Sequence, residues 1–263
     1  MKAILVKATL VWGFSIKYPG QSAAQEAFPY PPPSTLLGAL ASGYARLKGL
    51  PEKAGGKESS TVRLLDMVRY VTACMRGYGV RQLDPQRNVV IGVQRKERRK
   101  NPRYWHGLQA MGKVYALKTR LHILYLVGEE HVEELARAAW NIVYIGGKES
   151  LVNVEDVELH DIEVLDEDYG ETCYMTPAEI VEEPPENGLK MDLWDWRDKR
   201  NYRYGQAPRL VKEYYIPYTH GMFYGCVDGE CMNILLDTGK GVFIRVGEDH
   251  APIPRRVLGD ERI

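Results

Sequence analysis

The stretch Phe28–Leu47, FPYPPPSTLLGALASGYARL, decides how this chain folds. Pro29 and the run Pro31, Pro32 and Pro33 remove amide donors and exclude helical dihedrals before each ring, so the chain arrives extended and stiff. A helix then starts abruptly. Ser34 or Thr35 can cap it, and Leu36, Leu37, Leu40, Ala41, Tyr44 and Leu47 recur at three- and four-residue spacing as one apolar stripe. Gly38, Ala39, Ser42 and Gly43 are small. Two interior glycines cost a helix about 1 kcal/mol each against alanine, so the pattern predicts a core helix lying close against a sheet. Its amino end, presented by a rigid lead-in, has the geometry to receive a phosphate or carboxylate; the plainer alternative is that the prolines end a loop.

Working outward, Ile4, Val6, Ala8, Leu10 and Trp12 alternate with Lys2, Leu5, Lys7, Thr9 and Val11, which predicts a first strand with one strongly apolar face. After the helix, residues 48–61 read as a Gly, Ser and Lys loop, and Val62–Thr72 as a second strand. Residues 76–112 are too polar for a core and too aromatic for a plain linker, with a strand or hairpin at Asn88–Gln94. A long strand follows from Lys113 to Val127, with Leu117, Leu121, Ile123 and Tyr125 on one face and Lys118, Arg120 and His122 on the other, implying a sheet with a free basic face. Glu129–Val143 reads as a second helix ended by Gly146 and Gly147, and GGKESLVNVEDVEL runs into a further strand.

The order β-α-β, basic insertion, β-α-β predicts an α+β fold: a ferredoxin-like, RRM-like β-α-β-β-α-β domain over residues 1–165 with a long insertion at 76–112. Short alternating runs separated by glycine-bearing turns place a smaller β-rich region at 166–263. No run of 18 apolar residues occurs, so no membrane span is expected, and MKAILVKATLVWGF reads as a strand; cytoplasm is the default location. Cys74, Cys173, Cys226 and Cys231 are too few and scattered for a disulfide framework and read as thiols in strands. Cys226, Cys231 and His220 lack the spacing of a zinc site, and neither metal nor cofactor is expected.

The chain carries 35 Lys and Arg against 35 Asp and Glu, a formal net charge of zero. The distribution is far from even. From Arg76 to Arg120 there are 12 Lys or Arg against Asp84 and Glu97, whereas Glu155–Glu186 holds 13 Asp or Glu and no Lys or Arg. Separate positive and negative surfaces suit a subunit that meets unlike partners. The segment Arg95–Lys100 with Arg103 has the composition to hold a phosphate backbone, with Tyr104 and Trp105 as stacking surfaces; a solvated loop, or a face for an acidic neighbour, is the alternative. Gly146, Gly147 and Lys148 form a flexible turn whose amides can approach a ligand, although no Walker sequence is present. Trp194, Trp196, Arg197, Lys199, Arg200, Tyr202, Arg203 and Tyr204 interleave aromatics with charge and fit either a nucleic-acid path or a protein interface. The six histidines are dispersed and no G-x-S-x-G or H-E-x-x-H occurs; His106 with Tyr104 or Lys113 is the one combination suited to metal-free RNA cleavage.

At YPPPSTLLGAL, Tyr30–Leu40, followed by IGGKESLV, Ile145–Val152, the chain resembles the CRISPR-associated RAMP superfamily. Specifically, it is similar to the subunit of archaeal type I complexes (Cascade, subtype I-A) that caps the 5′ end of the guide RNA. The resemblance covers the whole chain in outline. It implies a proline-rich structural motif at Pro31, Pro32, Pro33, Ser34, Thr35 and Gly38, and a glycine-rich loop at Gly146–Glu149. It further implies a thumb within 76–112 that grips the repeat-derived handle and touches the neighbouring backbone RAMP subunit.

Together these readings assign RNA contact to Arg76, Arg81, Arg95, Lys96, Arg98, Arg99, Lys100, Arg103, Tyr104, Trp105, His106, Lys118, Arg120, Gly146, Gly147 and Lys148, with no catalytic residue. The expected role is a non-catalytic subunit of an antiviral ribonucleoprotein. It would bind crRNA, the backbone RAMP protein and the large subunit, and meet target DNA indirectly. The alternatives are a metal-independent endoribonuclease that processes precursor crRNA and a protein interaction module without RNA contact.

Overall fold

The computed structural model describes residues 1–18, 24–51, 53–55, 58–90, 92, 94–203, 211–219, 221–227 and 230–259. Strands β1 (Lys2–Leu10), β2 (Val68–Val89), β3 (His106–Tyr115), β4 (Arg120–Val127) and β5 (Val152–Asp161) build the first region, with helix α1 (Pro33–Lys48) between β1 and β2 and helix α2 (Val132–Ala139) between β4 and β5. The later region adds β6 (Gly188–Trp194), β7 (Val211–Thr219), β8 (Phe223–Cys226), β9 (Gly241–Val246) and β10 (Asp249–Pro254). The fold is thus mixed and dominated by sheet. Four strands lie side by side, each antiparallel to its neighbour, in the order β5-β1-β4-β2. The sheet continues from β2 through β8 to β7, and β3 pairs with β2 along its far half.

Register explains the layers. Ile4 faces Tyr125, Val6 faces Ile123 and Ala8 faces Leu121 across β1 and β4, and this side meets α1, where the Tyr125 hydroxyl donates to the Leu36 carbonyl at 2.8 Å. On the other side Leu5 stands opposite Leu124 and Lys7 opposite His122. The free basic face expected there does not exist. Ala3, Leu5, Leu124 and Leu126 alternate onto it and are fully buried, so a second layer is required. That layer comes from the later region. The Met175 amide donates to the Ala73 carbonyl at 3.0 Å, His122 Nδ1 meets Asp249 Oδ2 at 2.7 Å, and Tyr174, Val242, Ile244 and Ile253 belong to the same buried cluster as Leu5 and Leu124.

Several expectations about elements are corrected. The single strand foreseen from Lys113 to Val127 is two strands, β3 and β4. Both run along β2, and the four residues between Tyr115 and Arg120 stand against only three between Val80 and Arg76. The chain therefore steps aside at Ala116–Thr119, where Lys118 takes a φ of 53° and Leu117 is exposed. Val62–Thr72 divides into a 3-10 turn, Ser60–Leu64, and β2, which starts at Val68. Helix α1 begins at Pro33 with Pro32 as its cap, and no side chain caps it; Ser34 and Thr35 lie inside the first turn. Helix α2 stops at Ala139 rather than at the glycines, and Asn141 Nδ2 donates to the Arg137 carbonyl at 2.9 Å, taking an acceptor a longer helix would use.

The cysteines are paired, not free. Cys74 joins Cys173 and Cys226 joins Cys231, each pair with Cα atoms 4.9 Å apart. The bridge between Cys74 and Tyr174 puts Cys173 within reach of β2, a long-range pairing that spacing does not reveal. His220 lies outside the described residues. Among the described residues no helix is long and apolar enough to cross a membrane.

The small residues of α1 serve a helix rather than the sheet. A Cβ on Gly43 would stand 2.2 Å from the Ala138 carbonyl oxygen of α2, whereas one on Gly38 would meet only Thr61 Oγ1 at 3.7 Å. Gly43→Ala is therefore expected to destabilise the chain by about 1–3 kcal/mol through overpacking, and Gly38→Ala to stabilise it by up to about 1 kcal/mol. Denaturant titration of both variants checks this; equal shifts in one direction would contradict the helix contact.

Candidate nucleic-acid interface

The polar, basic stretch after Arg76 is not a loose loop. β2 and β3 pair from Val80 and Tyr115 out to Val89 and His106, ten residue pairs, or about 30 Å of two-stranded ribbon. Residues such as Leu83 and Val89 are exposed there, as expected of a sequence with too few apolar side chains to join a core. At its base the ribbon is braced. Gly13–Phe14 pairs with Tyr115 and Val114, and Ala24–Gln25 pairs with Ala110 and Met111.

The tip organises itself through backbone contacts. The Val90 amide donates to the Trp105 carbonyl at 2.8 Å, and Lys96–Arg99 forms one helical turn. Asn101 accepts from the Arg103 amide at 3.0 Å, starting a 3-10 turn over Pro102–Tyr104. Arg99 donates from Nε to the Gln94 carbonyl and from Nη2 to the Gly92 carbonyl, while its own carbonyl accepts from Trp105 Nε1 at 2.7 Å. Arg99 is thus a latch. Arg98 lies over the Tyr104 ring with its guanidinium carbon 5.3 Å from the centroid. Arg95, Lys96, Arg98, Lys100, Arg103, Tyr104, Trp105 and His106 are all exposed, and among the described residues no carboxylate forms an ion pair with any cation of Arg95–Arg103.

The remaining sequence-assigned residues do not join this tip. Arg81 reaches Glu26 at 3.5 Å on the ribbon. Arg76 stands 13 residues back along β2 from Val89, on the order of 40 Å. It is bound to Asp249, so its charge is already compensated. Arg120 lies opposite Arg76, and both line a cleft of about 230 Å³ with Lys7, His122, Glu155 and Asp249. Lys118 sits in the bend beside it. Gly146, Gly147 and Lys148 form a third group, in the turn after α2. Gly146 has a φ of 86° and a Cβ there would stand 2.5 Å from Ile16, while the Gly147 amide donates to the Ser15 carbonyl at 3.3 Å. Gly146 lines a hydroxyl-rich cleft of about 300 Å³ with Thr35, Gly38, Ser42, Thr61 and Tyr144, so the proline-led helix and the glycine loop do meet.

Other candidates resolve into structure. His106 and Lys113 are seven residues apart on β3, roughly 23 Å, and Lys113 Nζ is held by Asp84 at 2.6 Å; the two cannot act on one phosphate. Trp196 and Tyr202 are buried, Arg197 lies over Trp196, Arg200 pairs with Asp198 and Arg203 with Glu58, so this cluster is occupied internally; Tyr204 lies outside the described residues. The acidic run forms the edge strand β5 and the segment after it. Asp161 pairs with Lys2, Glu158 with Lys7, Glu163 with Arg245 and Glu179 with Arg256, while Asp166, Glu167 and Asp168 stay exposed.

Sequence reasoning missed Asp249. Its side chain is 3% exposed and accepts from His122, from the Tyr174 hydroxyl at 2.6 Å and from Arg76. Burial pushes its carboxyl up, but the hydrogen bonds from His122, Tyr174 and Arg76 outweigh burial and hold it well below the usual carboxylate range. No local signal marks it, because its three partners come from 75, 127 and 173 residues away.

No family model matches the chain. It is similar to two curated proteins of Saccharolobus solfataricus, CRISPR-associated protein Cas5 3 and CRISPR system aCascade subunit Cas5 1. Each is 39% identical over 150 residues, 57% of this chain and 62% of the relative. The matched part thus spans less than two thirds of those relatives. Among solved structures, a CRISPR protein from Archaeoglobus fulgidus shares the fold, with a TM-score of 0.62, 20% identity, and 97% of this chain and 99% of that chain covered.

A carboxylate with a depressed folded-state pKa contributes stability that is present above its unfolded pKa near 4 and is lost as the pH falls through the folded value. Asp249→Asn is expected to cost on the order of 3 kcal/mol at pH 7 and to flatten the fall of stability between about pH 5 and 2. Urea melts of both proteins across that range measure it; parallel curves would contradict the assignment.

Proposed function

We propose that this chain, a RAMP-type relative of the CRISPR-associated Cas5 proteins, is a non-catalytic RNA-binding subunit of a type I interference complex that holds the 5′ handle of crRNA. The observation that carries the proposal is the tip of the β2–β3 ribbon, where Arg95, Lys96, Arg98, Lys100 and Arg103 stand exposed beside Tyr104 and Trp105 without a carboxylate partner among the described residues. Cations with no internal partner are available to phosphates, and adjacent rings stack on unpaired bases. The cleft shared by α1 and Gly146 supplies the second contact with the strand, through the hydroxyls of Thr35, Ser42, Thr61 and Tyr144, which accommodate any base.

The strand order β5-β1-β4-β2, with α1 and α2 as the two crossovers, supports reading the central unit as ferredoxin-like. The ribbon is then the insertion that acts as its thumb. In this reading the partners are crRNA, a neighbouring backbone RAMP subunit reached by the thumb, and a large subunit facing the acidic β5 edge; target DNA is met only through the guide. The role is structural, supported by the separation of His106 from Lys113.

Counterion release gives a measurable signature. Binding of the assembled complex to handle-bearing RNA is expected to weaken with salt by about 0.7 in log K per decade for each phosphate held. The combined variant Arg95→Ala, Lys96→Ala, Arg103→Ala should reduce that slope by about 2. A slope unchanged by the triple variant would remove the tip from the RNA path. Precursor repeat RNA incubated with the protein in chelator should stay intact; a discrete cut abolished by His106→Ala would replace this reading with the endoribonuclease.

A further inference from the structure

A second concentration of positive charge lies at the other end of β2 from the thumb. Arg69 is 20 residues from Val89 along that strand, about 60 Å of chain. There a cavity of about 130 Å³ is lined by Arg69, Tyr70, Trp196, Arg197, Lys212 and Arg256, with Tyr214 and the prolines Pro177 and Pro254 completing its walls. Four cations from four separate elements converge on it, and among its lining residues Glu179 is the single carboxylate.

The internal compensation is incomplete. Arg256 pairs with Glu179, and Lys212 lies 3.9 Å from Asp195. Arg197 is exposed and directs Nη1 to the carbonyls of Leu65 and Val68 at 3.3 and 3.4 Å, which satisfies hydrogen bonds but not charge. Arg69 has no ion-pair partner among the described residues. Burial, and then the nearby guanidiniums of Arg69 and Arg256, lower the proton affinity of Arg197, so these groups are close enough to repel one another.

One further observation points to a ligand. The Tyr70 hydroxyl is, among the described residues, the one buried side-chain polar atom without a hydrogen-bond partner, and Tyr70 is 3% exposed. Thr72, two positions on, gives its hydroxyl to the Met175 carbonyl and meets the Tyr70 hydroxyl only beyond hydrogen-bonding distance. Buried hydroxyls are ordinarily satisfied, and burial keeps this one protonated and able to donate. We propose that the cavity is a binding site for a phosphate group, held by Arg69, Arg197, Lys212 and Arg256 with the Tyr70 hydroxyl as a further donor. Four lining cations against Glu179 and the nearby Asp195 leave an excess of two positive charges, which suits a dianion better than a single carboxylate, and guanidiniums offer the forked donors that phosphate oxygens accept. The proposal is independent of the handle-binding role, since the two sites share no residue.

Calorimetric titration of the full-length protein with inorganic phosphate at constant ionic strength tests it. Saturable binding to one site is expected, weakened at least tenfold in Arg69→Ala and in Lys212→Ala, and unchanged in Arg103→Ala at the thumb. Tyr70→Phe removes only an unpartnered hydroxyl, so it should weaken phosphate binding several-fold while leaving the melting temperature of the phosphate-free protein the same or higher. Absence of saturable binding, equal loss in Arg103→Ala, or tighter binding of acetate than of phosphate would overturn the site. Competition distinguishes the sources of phosphate. Displacement by a nucleoside monophosphate alone identifies a free nucleotide, whereas displacement by a single-stranded oligonucleotide in the Arg103→Ala background identifies a nucleic-acid backbone.

Discussion

The carboxylate of Asp249 fastens the two halves of this chain. It reaches from β10 to His122 on β4, to Arg76 on β2 and to Tyr174 in the segment between. Around it, Tyr30 accepts from the Met75 amide and donates to the Cys173 carbonyl at 3.0 Å, and Cys74 is bonded to Cys173 itself. A buried charge with three donors is stable only if all three stay in place, so the second layer closes in one position over Leu5 and Leu124. That closure governs how the molecule can meet a polymer. With helices on one side of the sheet and the later region on the other, a strand cannot lie across the sheet itself, and any contact falls to surfaces away from it, such as the ribbon tip or the cleft beside α1.

The distribution of charge is consistent with this. Much of the acidic run is spent inside the fold's own perimeter, where Lys2 and Lys7 of β1 meet Asp161 and Glu158 across the β1–β5 pairing. Formal neutrality therefore coexists with a ribbon tip whose cations form no ion pair with a carboxylate among the described residues. The aromatic cluster near Trp196 shows the opposite arrangement, with rings buried and most guanidiniums paired. Composition is similar in the two places. The difference is whether the chain has packed a core beneath.

Legibility in the sequence tracks the range of the interactions. The strand at Ile4–Leu10, the proline-led start of α1 and the turn at Gly146 follow from local backbone preferences, which the alternation, the prolines and the glycines display. The alternation of β1 also shows Leu5 among lysines, but a period of two cannot say whether a mixed face is covered. His122 reads as outward and basic for that reason, and its partner Asp249 is 127 residues away. The disulfide of Cys74, which spans 99 residues, is invisible on the same grounds. The step at Ala116–Thr119 escapes notice because Leu117 continues the apolar alternation although it is exposed. In the candidate interface the basic composition of residues 95–103 is plain, whereas its carriage on a ribbon, away from Arg76 and Arg120, depends on pairing that composition does not encode.

The brace at the ribbon's base has a mechanical consequence. Among the described residues, pairing with Gly13–Phe14 and Ala24–Gln25 reaches out to Ala110, and the four residue pairs from Gln109 to His106 lie beyond it as a cantilever, roughly 13 Å long. Rotation about the fulcrum at Ala110 by about 10° would swing its end by only about 2 Å. A bare ribbon hinged at Tyr115 would more than double that arc. The strut thus converts a floppy appendage into a lever of fixed aim, whose end the body of the molecule can position to within one side chain's reach.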